Sequence, residues 1–245
     1  MLRLGQGWLL VLLTLSNLLI YVDRGILSAL VVHLRDPVTG LGLSDTEAGT
    51  LGSAFMFGYM LSSPFFAHAV QFYHPLSLVA LGLGVWTIAT GIAGVAYGYW
   101  LLLAARALTG VAEASICPII PPMLMEIAPA DKKTMWLSTY FAAMPIGVAM
   151  GYIYGEEITS LLGSWHYPFL IEAATMLPFL AIMILADKSP ALRKSTESAA
   201  SPASTIPFLT QLKQLFTNPV YIFIVLGQCA YVFTVGGLAF WVVPT

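Results

Sequence analysis

Two pairs of ionisable residues interrupt segments of the chain that are otherwise apolar. Asp23 and Arg24 are adjacent in one such segment, and Arg106 and Glu113 lie two helical turns apart in another. A charge at the depth of a bilayer is costly and is normally retained only where it lines a cavity or meets a partner. These four residues therefore predict a polar path inside a bundle of membrane helices, a feature typical of transporters.

Helical geometry places the first pair among other polar side chains. At about 100° per residue, Asn17, Tyr21 and Arg24 fall on one stripe of their helix, and Asp23 lies on a neighbouring face. We expect Asn17 and Tyr21 to supply hydrogen bonds beside the charges. The predicted substrate and proton pathway therefore begins with these residues.

The second pair is expected to complete the pathway across a helix interface. Arg106 and Glu113 share a stripe but are roughly 10 Å apart along the axis, too far for a simple direct pair. We expect Glu113 to meet Arg24, and Arg106 to meet Asp23 or a substrate anion. Protonation of Glu113 would release Arg24, while Arg106 could hold a phosphate or carboxylate with two hydrogen bonds. The alternative is a static ion-pair lock that only joins the two helices.

Composition assigns the chain to a broad class and excludes several functions. Of 245 residues, 58% are hydrophobic and 9% are charged, and the mean hydropathy is +0.84. Soluble domains carry roughly a quarter charged residues, so an all-α, multi-pass membrane protein is predicted. The sequence has no stripe of basic residues that could bind nucleic acid.

The sequence also predicts no metal site and no cofactor. Cys117 and Cys229 lack the spacing of a metal site, and no catalytic group or cofactor is predicted. Glu126 and Glu172 are interpreted as interfacial and left outside the site.

Hydrophobic runs predict seven membrane-spanning helices, each of about 20 residues or more. The predicted spans are 8–32, 46–68, 76–97, 99–127, 134–158, 165–186 and 219–243. A capping box from Ser44 to Glu47 is expected to start the second span. The predicted domains are a six-helix unit at 1–187, a cytosolic linker at 188–218 that ends in a short interfacial helix, and a seventh span at 219–245.

The distribution of basic residues predicts the orientation in the membrane. With the N-terminus in the cytosol, Arg35 alone among the Lys and Arg residues falls in an outer loop. The inner segments then hold Arg3, Lys132, Lys133, Lys188, Arg193, Lys194 and Lys213. Basic residues are enriched in cytoplasmic loops, so this orientation is favoured. The sequence leaves open whether the protein resides in the plasma membrane or in an endolysosomal membrane.

The orientation predicts which loops receive glycans. An acceptor site for N-glycosylation inserted near Ser160 is expected to be modified, whereas one inserted near Ser198 is not. The measurement is the glycan-dependent change in gel mobility of the two variants. Modification near Ser198 would reverse the assigned orientation.

A stripe of glycines predicts close helix packing in the fifth span. Gly147, Gly151 and Gly155 recur every four residues, which makes a smooth surface for another helix. The partner helix is expected in a second half of the protein, outside this chain. Without that half, the stripe is expected to promote self-association.

The same residues resemble those of a known family. The matching positions are Asn17, Tyr21-Val-Asp-Arg24, Leu27-Ser28, Leu43-Ser-Asp45, Ala48-Gly49, Phe57, Tyr59-Met60, Pro64, Arg106, Gly110, Glu113-Ala-Ser115, Pro121, Met144-Pro-Ile-Gly147, Gly151-Tyr152, Gly155, Gly237-Leu-Ala-Phe-Trp241 and Pro244. Together they resemble the major facilitator superfamily, and within it the Spinster family of lipid transporters. The Asp-Arg and Arg…Glu-Ala-Ser motifs are the most specific of them.

The resemblance implies a fold, an activity and a set of partners. It implies twelve helices in two six-helix halves, with an amphipathic substrate such as a lysolipid or sphingoid lipid bound between them, and with protons as a possible coupling ion. The bilayer is the surrounding partner. The chain is therefore expected to be the N-terminal half, the linker and the first helix of an incomplete second half, and to show no uptake by itself.

One departure from the family pattern leaves other functions open. The loop between the second and third spans has Gln71, Phe72, Pro75 and Leu76 where the superfamily carries an acidic residue and several basic ones. The cluster that the resemblance implies for closing the inner gate is therefore missing. A carrier of a small organic anion or sugar acid is one alternative. A non-transporting receptor or assembly partner, a degenerate half-carrier, is the other.

Overall fold

The computed structural model of the protein describes residues 6–187 and 208–241, and within them every regular element is an α-helix. In chain order the helices are α1 Gln6–Arg35, α2 Asp45–Ala69, α3 Pro75–Gly94, α4 Tyr99–Glu113, α5 Ile120–Ile127, α6 Lys133–Leu162, α7 His166–Asp187, α8 Phe208–Thr217 and α9 Pro219–Trp241. The predicted all-α fold class is confirmed. Residues 188–207 of the predicted linker at 188–218, and the last residues of the seventh span, lie outside the described residues.

Five of the described helices are long and apolar enough to cross a membrane. They are Gly7–Arg35, Pro75–Gly94, Lys133–Leu162, His166–Ala186 and Pro219–Leu238. Each corresponds to one of the predicted spans. The second predicted span is α2, which has 25 residues, and at 1.5 Å per residue it is also long enough to cross the hydrocarbon core.

The fourth predicted span is not one continuous helix. It is divided into α4 and α5, with a turn at 114–119 between them. Pro118 lies in the turn, and Pro121 and Pro122 lie in the first turn of α5. A proline ring clashes with the carbonyl four residues earlier and lacks an amide donor, so a helix cannot continue unbroken through this run. The break directly follows Glu113, the last residue of α4.

The first seven helices form one unit with a shared apolar core. Within it, α1 packs on α6, α2 packs on α4, and α3 packs on both α4 and α7. The core includes Leu13, Ile20, Trp86, Leu124 and Met176, all of them buried. Because α1 also contacts α7, residues near the middle of α1 face several helices at once.

The glycine stripe of α6 packs against α1. A methyl group at Gly151 would lie 2.1 Å from the carbonyl oxygen of Val22, and one at Gly147 would lie 2.6 Å from that of Leu18. Gly155 meets the α1 backbone at Ile26. The expectation that the partner helix lies in a second half was therefore wrong. The stripe has its partner within the chain, which removes the reason for self-association through these glycines.

Helix boundaries follow local capping chemistry. Ser44 Oγ accepts a hydrogen bond from the Glu47 amide at 3.3 Å, and Glu47 Oε2 accepts one from the Ser44 amide at 2.9 Å, so the predicted capping box is confirmed. In the loop before α2, the Val38 and Thr39 amides and the Thr39 hydroxyl donate to Asp36, which lowers the pKa of that carboxyl.

A second unit contains α8 and α9 and is described by itself. The predicted short helix at 208–216 corresponds to α8, which ends one residue before Asn218. Asn218 Oδ1 accepts a hydrogen bond from the Val220 amide at 3.0 Å and so caps the start of α9. The location of α8 at a membrane interface stays a prediction.

Candidate substrate and proton site

The first ion pair joins the middle of α1 to the end of α4. Arg24 Nη2 donates a hydrogen bond to Glu113 Oε1, as expected from the sequence. The Glu113 side chain is 1% exposed, whereas that of Arg24 is 28% exposed. Glu113 Oε2 has no hydrogen-bond partner among the described residues. The pair therefore combines a buried carboxyl, with one oxygen still unoccupied, and a guanidinium that is open to its surroundings.

Aromatic rings hold the Arg24 guanidinium from two helices. Its Cζ lies 4.4 Å from the ring centre of Tyr21 on α1 and 4.8 Å from that of Phe55 on α2. A cation over an aromatic face is stabilised by the ring quadrupole, by roughly 0.5–2 kcal/mol according to its solvation. Close packing of α2 on α4 brings Phe55 there, because Gly110 lies directly against the Phe55 carbonyl. Arg24 thus contacts α1, α2 and α4 together.

The second ion pair is more deeply buried. Arg106 Nη2 donates to both carboxylate oxygens of Asp23 at 2.9 Å, and the two side chains are 1% and 2% exposed. The Arg106 Cζ also lies 5.4 Å from the ring centre of Phe169 on α7. The sequence left open whether Arg106 would meet Asp23 or a substrate anion. In this conformation its partner is Asp23.

The remaining predicted site residues have different roles in the packing. Asn17 is buried and donates a hydrogen bond to the carbonyl of Tyr140 on α6 at 3.1 Å, so its amide is already committed to a helix contact. Tyr21 is buried beside Arg24 and contributes its ring face. The structure therefore brings Tyr21 to the ion pairs and directs the Asn17 amide towards α6.

Three residues near the charges were missed from the sequence. Phe55 and Phe169 contact the two guanidinium groups, but an apolar helix contains many aromatic residues and nothing in the sequence marks these two. Glu172 was placed near an interface, yet it is 2% exposed and the charges of Asp23 and Arg106 act on it. A signal existed for Glu172, because an ionisable residue in an apolar span is a functional candidate by default.

The arrangement can bind protons and an organic anion. Each ion pair crosses from α1 to α4, so a change in the charge of one carboxyl alters how these two helices are held together. Among the described residues, no cluster of His, Cys, Asp and Glu could hold a metal ion. A bundle of membrane-length helices with ionisable groups at its centre is characteristic of α-helical membrane transporters.

Comparison with known proteins gives the family. The model of the Major Facilitator Superfamily matches residues 13–245. The chain belongs to this superfamily, which comprises transporters rather than enzymes. The superfamily predicted by resemblance is therefore confirmed, and so is an integral, multi-pass membrane protein.

The relatives found by sequence are Spinster homologues. The chain is 32% identical to a probable sphingolipid transporter, spinster homolog 1 of Arabidopsis thaliana, over 97% of this chain and 56% of that protein. It is 30% identical to protein spinster homolog 1 of Homo sapiens, over 97% of this chain and 45% of that protein. The predicted resemblance to the Spinster family is confirmed. The chain spans about half the length of the curated relatives it matches.

Solved structures support the same fold. A bacterial homologue of the human lysosomal transporter Spinster matches 98% of this chain and 55% of its own, with a TM-score of 0.75 and 19% identity. A peptide transporter, POT, matches 93% of this chain and 47% of its own, with a TM-score of 0.67 and 14% identity. At these identities the likeness establishes the fold alone.

Proposed function

We propose that the protein acts in proton-coupled transport of a lysolipid, a sphingoid lipid or a similar amphipathic anion, with its N-terminus in the cytosol. The observation that carries this proposal is the Arg24–Glu113 pair, in which a buried carboxyl holds a partly exposed guanidinium. In an apolar setting each member of this pair can exchange the other for a new partner. A proton can neutralise Glu113, and an anionic head group can pair with Arg24.

Coupling follows from the exchange of these partners. When Glu113 takes a proton, its attraction for Arg24 falls, whereas the rings of Tyr21 and Phe55 still contact the guanidinium. Because the pair joins α1 to α4, its loss changes the relative stability of two arrangements of these helices. In carriers of this fold, substrate binds between two halves that rock around a site near the midplane.

The nature of the substrate is inferred from the relatives and from the site. The two plant proteins most relevant here are described as probable sphingolipid transporters, and they are 32% and 30% identical to this chain. Arg24 supplies the charge that a phosphate or carboxylate head requires. In this conformation Arg106 is occupied by Asp23, so the predicted contact of Arg106 with a head group requires Asp23 to release it.

One observation favours a second candidate, a membrane protein that does not transport. The chain between α2 and α3, which contains Gln71 and Phe72, lacks the charged residues expected of an inner gate. The two ion pairs would then act as a static lock between α1 and α4. In that case, removal of the Glu113 charge reduces stability and has no effect on any pH-driven process.

The substitution Glu113→Gln tests the proposal, because glutamine mimics the protonated carboxyl. We expect binding of a fluorescent lysolipid to survive and pH-driven accumulation to be lost. Accumulation is measured in proteoliposomes with an imposed pH gradient, using a carrier in which these residues are joined to a complete second half. Glu157→Gln, which changes an exposed carboxyl on α6, is the matched control and should behave as the wild type.

Two results are informative in opposite directions. A Glu113→Gln protein that folds normally and accumulates lipid with unchanged pH dependence would rule out the coupling role. A protein that melts at a much lower temperature and has lost lipid binding would support the static lock.

A further inference from the structure

Glu172 is a buried carboxyl that the proposed coupling does not use. It lies near the start of α7, one turn after Phe169, the residue whose ring faces the Arg106 guanidinium. The side chain is 2% exposed, and neither carboxylate oxygen has a hydrogen-bond partner among the described residues. An ionised carboxylate in such a place loses its hydration and gains no hydrogen bond from the described residues in return.

The groups that face Glu172 come from three other helices. Asp23 on α1 and Arg106 on α4 act on it through their charges, and Tyr154 on α6 lies close enough for its hydroxyl to be affected by the carboxylate. The Tyr154 hydroxyl itself donates to the carbonyl of Pro168 at 3.2 Å. The sequence of α3, which also packs on α7, contains no ionisable side chain. On α7 itself, His166 bonds to Ser164 and to the Ala96 carbonyl.

The number of charges in this cluster does not balance if every carboxyl is ionised. Asp23 and Glu172 provide two carboxyls, but among the described residues Arg106 is the one guanidinium whose charge acts on Glu172, and its Nη2 already donates to Asp23. The nearby guanidinium of Arg24, which is partly exposed, is paired with Glu113. A buried cation can neutralise one carboxylate, so one of the two acids beside Arg106 must hold a proton to avoid an uncompensated charge.

We propose that Glu172 is a second proton-binding site, which carries a proton while Arg106 is paired with Asp23 and gives it up when Arg106 transfers to Glu172. The proposal rests on the proposed proton coupling and adds a site distinct from Glu113. The step is balanced: the proton leaves the Glu172 carboxyl and protonates Asp23, while Arg106 exchanges Asp23 for Glu172. The total charge of the three groups is unchanged.

The exchange gives Arg106 a role in joining different helices in turn. Paired with Asp23 it joins α4 to α1, and paired with Glu172 it joins α4 to α7. Phe169 lies under the guanidinium on the α7 side, so the cation already contacts the helix to which it would transfer. In the proposed orientation, Glu172 lies in the outer part of α7.

The test observes the protonation state of Glu172 directly. The chain has seven glutamates, so labelling their side-chain carboxyl carbons with ¹³C gives a simple carbon NMR spectrum. The 245-residue protein is measured in lipid nanodiscs at neutral pH, and Glu172→Gln identifies the signal by its loss. If that variant does not fold, Glu172→Asp removes the same labelled carbon and keeps the carboxyl. We expect the Glu172 signal at the chemical shift of a protonated acid.

A second variant separates a proton site from a passive buried acid. Asp23→Asn deprives Arg106 of its partner, so we expect Glu172 to ionise and its signal to move to the carboxylate position. Glu113→Gln, which alters the other ion pair, should leave the Glu172 signal where it is in the wild type. A Glu172 that is ionised in the wild type, or that stays protonated in Asp23→Asn, would overturn the proposal. None of these spectra depends on uptake, so failure of coupling at Glu113 would be recognised separately.

Discussion

Arg106→Gln is expected to destabilise the protein by about 3–5 kcal/mol, because it removes one member of a fully buried ion pair. The Asp23 carboxylate accepts two hydrogen bonds from Arg106 Nη2, and both side chains are almost completely inaccessible to solvent. Without the guanidinium, Asp23 must remain as an uncompensated charge or take up a proton. The free energy of unfolding, measured by denaturant titration in detergent micelles, checks this result.

Two further variants show whether the loss arises from the pair. Asp23→Asn in the Arg106→Gln background should recover a large part of the stability, because both charges are then absent and two amides can bond to each other. Arg35→Gln removes a cation whose bond to Asp45 is 2.7 Å long but whose side chains are 43% and 67% exposed, so a loss below about 1 kcal/mol is expected. Equal losses for Arg106→Gln and Arg35→Gln would contradict the burial argument.

Gly151→Ala is the second substitution with a large expected effect. The added methyl group would lie 2.1 Å from the Val22 carbonyl oxygen and 2.8 Å from the Gly25 Cα, both of them backbone atoms of α1 that cannot rotate away. Helices α1 and α6 must therefore separate, and overpacking of this kind costs about 1–3 kcal/mol or more. The expected result is a lower melting temperature by circular dichroism.

The same substitution elsewhere in the bundle provides the control. A methyl group at Gly91 on α3 would have Ala173 Cβ at 3.9 Å as its nearest contact, an ordinary van der Waals distance. Gly91→Ala should be neutral or stabilising by up to about 1 kcal/mol, because alanine favours the helix. If Gly151→Ala melts at the same temperature as Gly91→Ala, the backbones of α1 and α6 are farther apart at Gly151 than the 2.1 Å methyl contact requires.

Much of the candidate site could be predicted from the sequence because helices have a fixed periodicity. A charged side chain in an apolar segment requires a partner. Because helical periodicity puts Arg24 and Glu113 on defined stripes of their own helices, the partner of each is expected on a facing helix. Both ion pairs in the structure follow this rule. Helix locations were equally accessible, since their length and hydropathy are local properties of the chain. Family membership follows from the same motifs.

The prolines of the predicted fourth span were a local signal for a helix break, but the length of the apolar run favoured a single helix. The apolar run at 99–127 has the length of one span, and hydropathy does not register the three prolines that divide it into α4 and α5. The consequence concerns the site, because the break places Glu113 at the end of a helix, and the residues that follow it form hydrogen-bonded turns instead of a continuing helix.

The sequence by itself determined that the chain forms membrane helices, that two of these helices carry stripes of ionisable side chains, and that one stripe of glycines must pack closely against another helix. Only the tertiary structure decided that the helix against those glycines is α1, and that Glu172 and Phe169 of α7 lie beside Arg106. The physical reason is that a stripe specifies the face of its own helix and the kind of surface it needs. Which helix supplies that surface depends on how all the helices of the unit pack together.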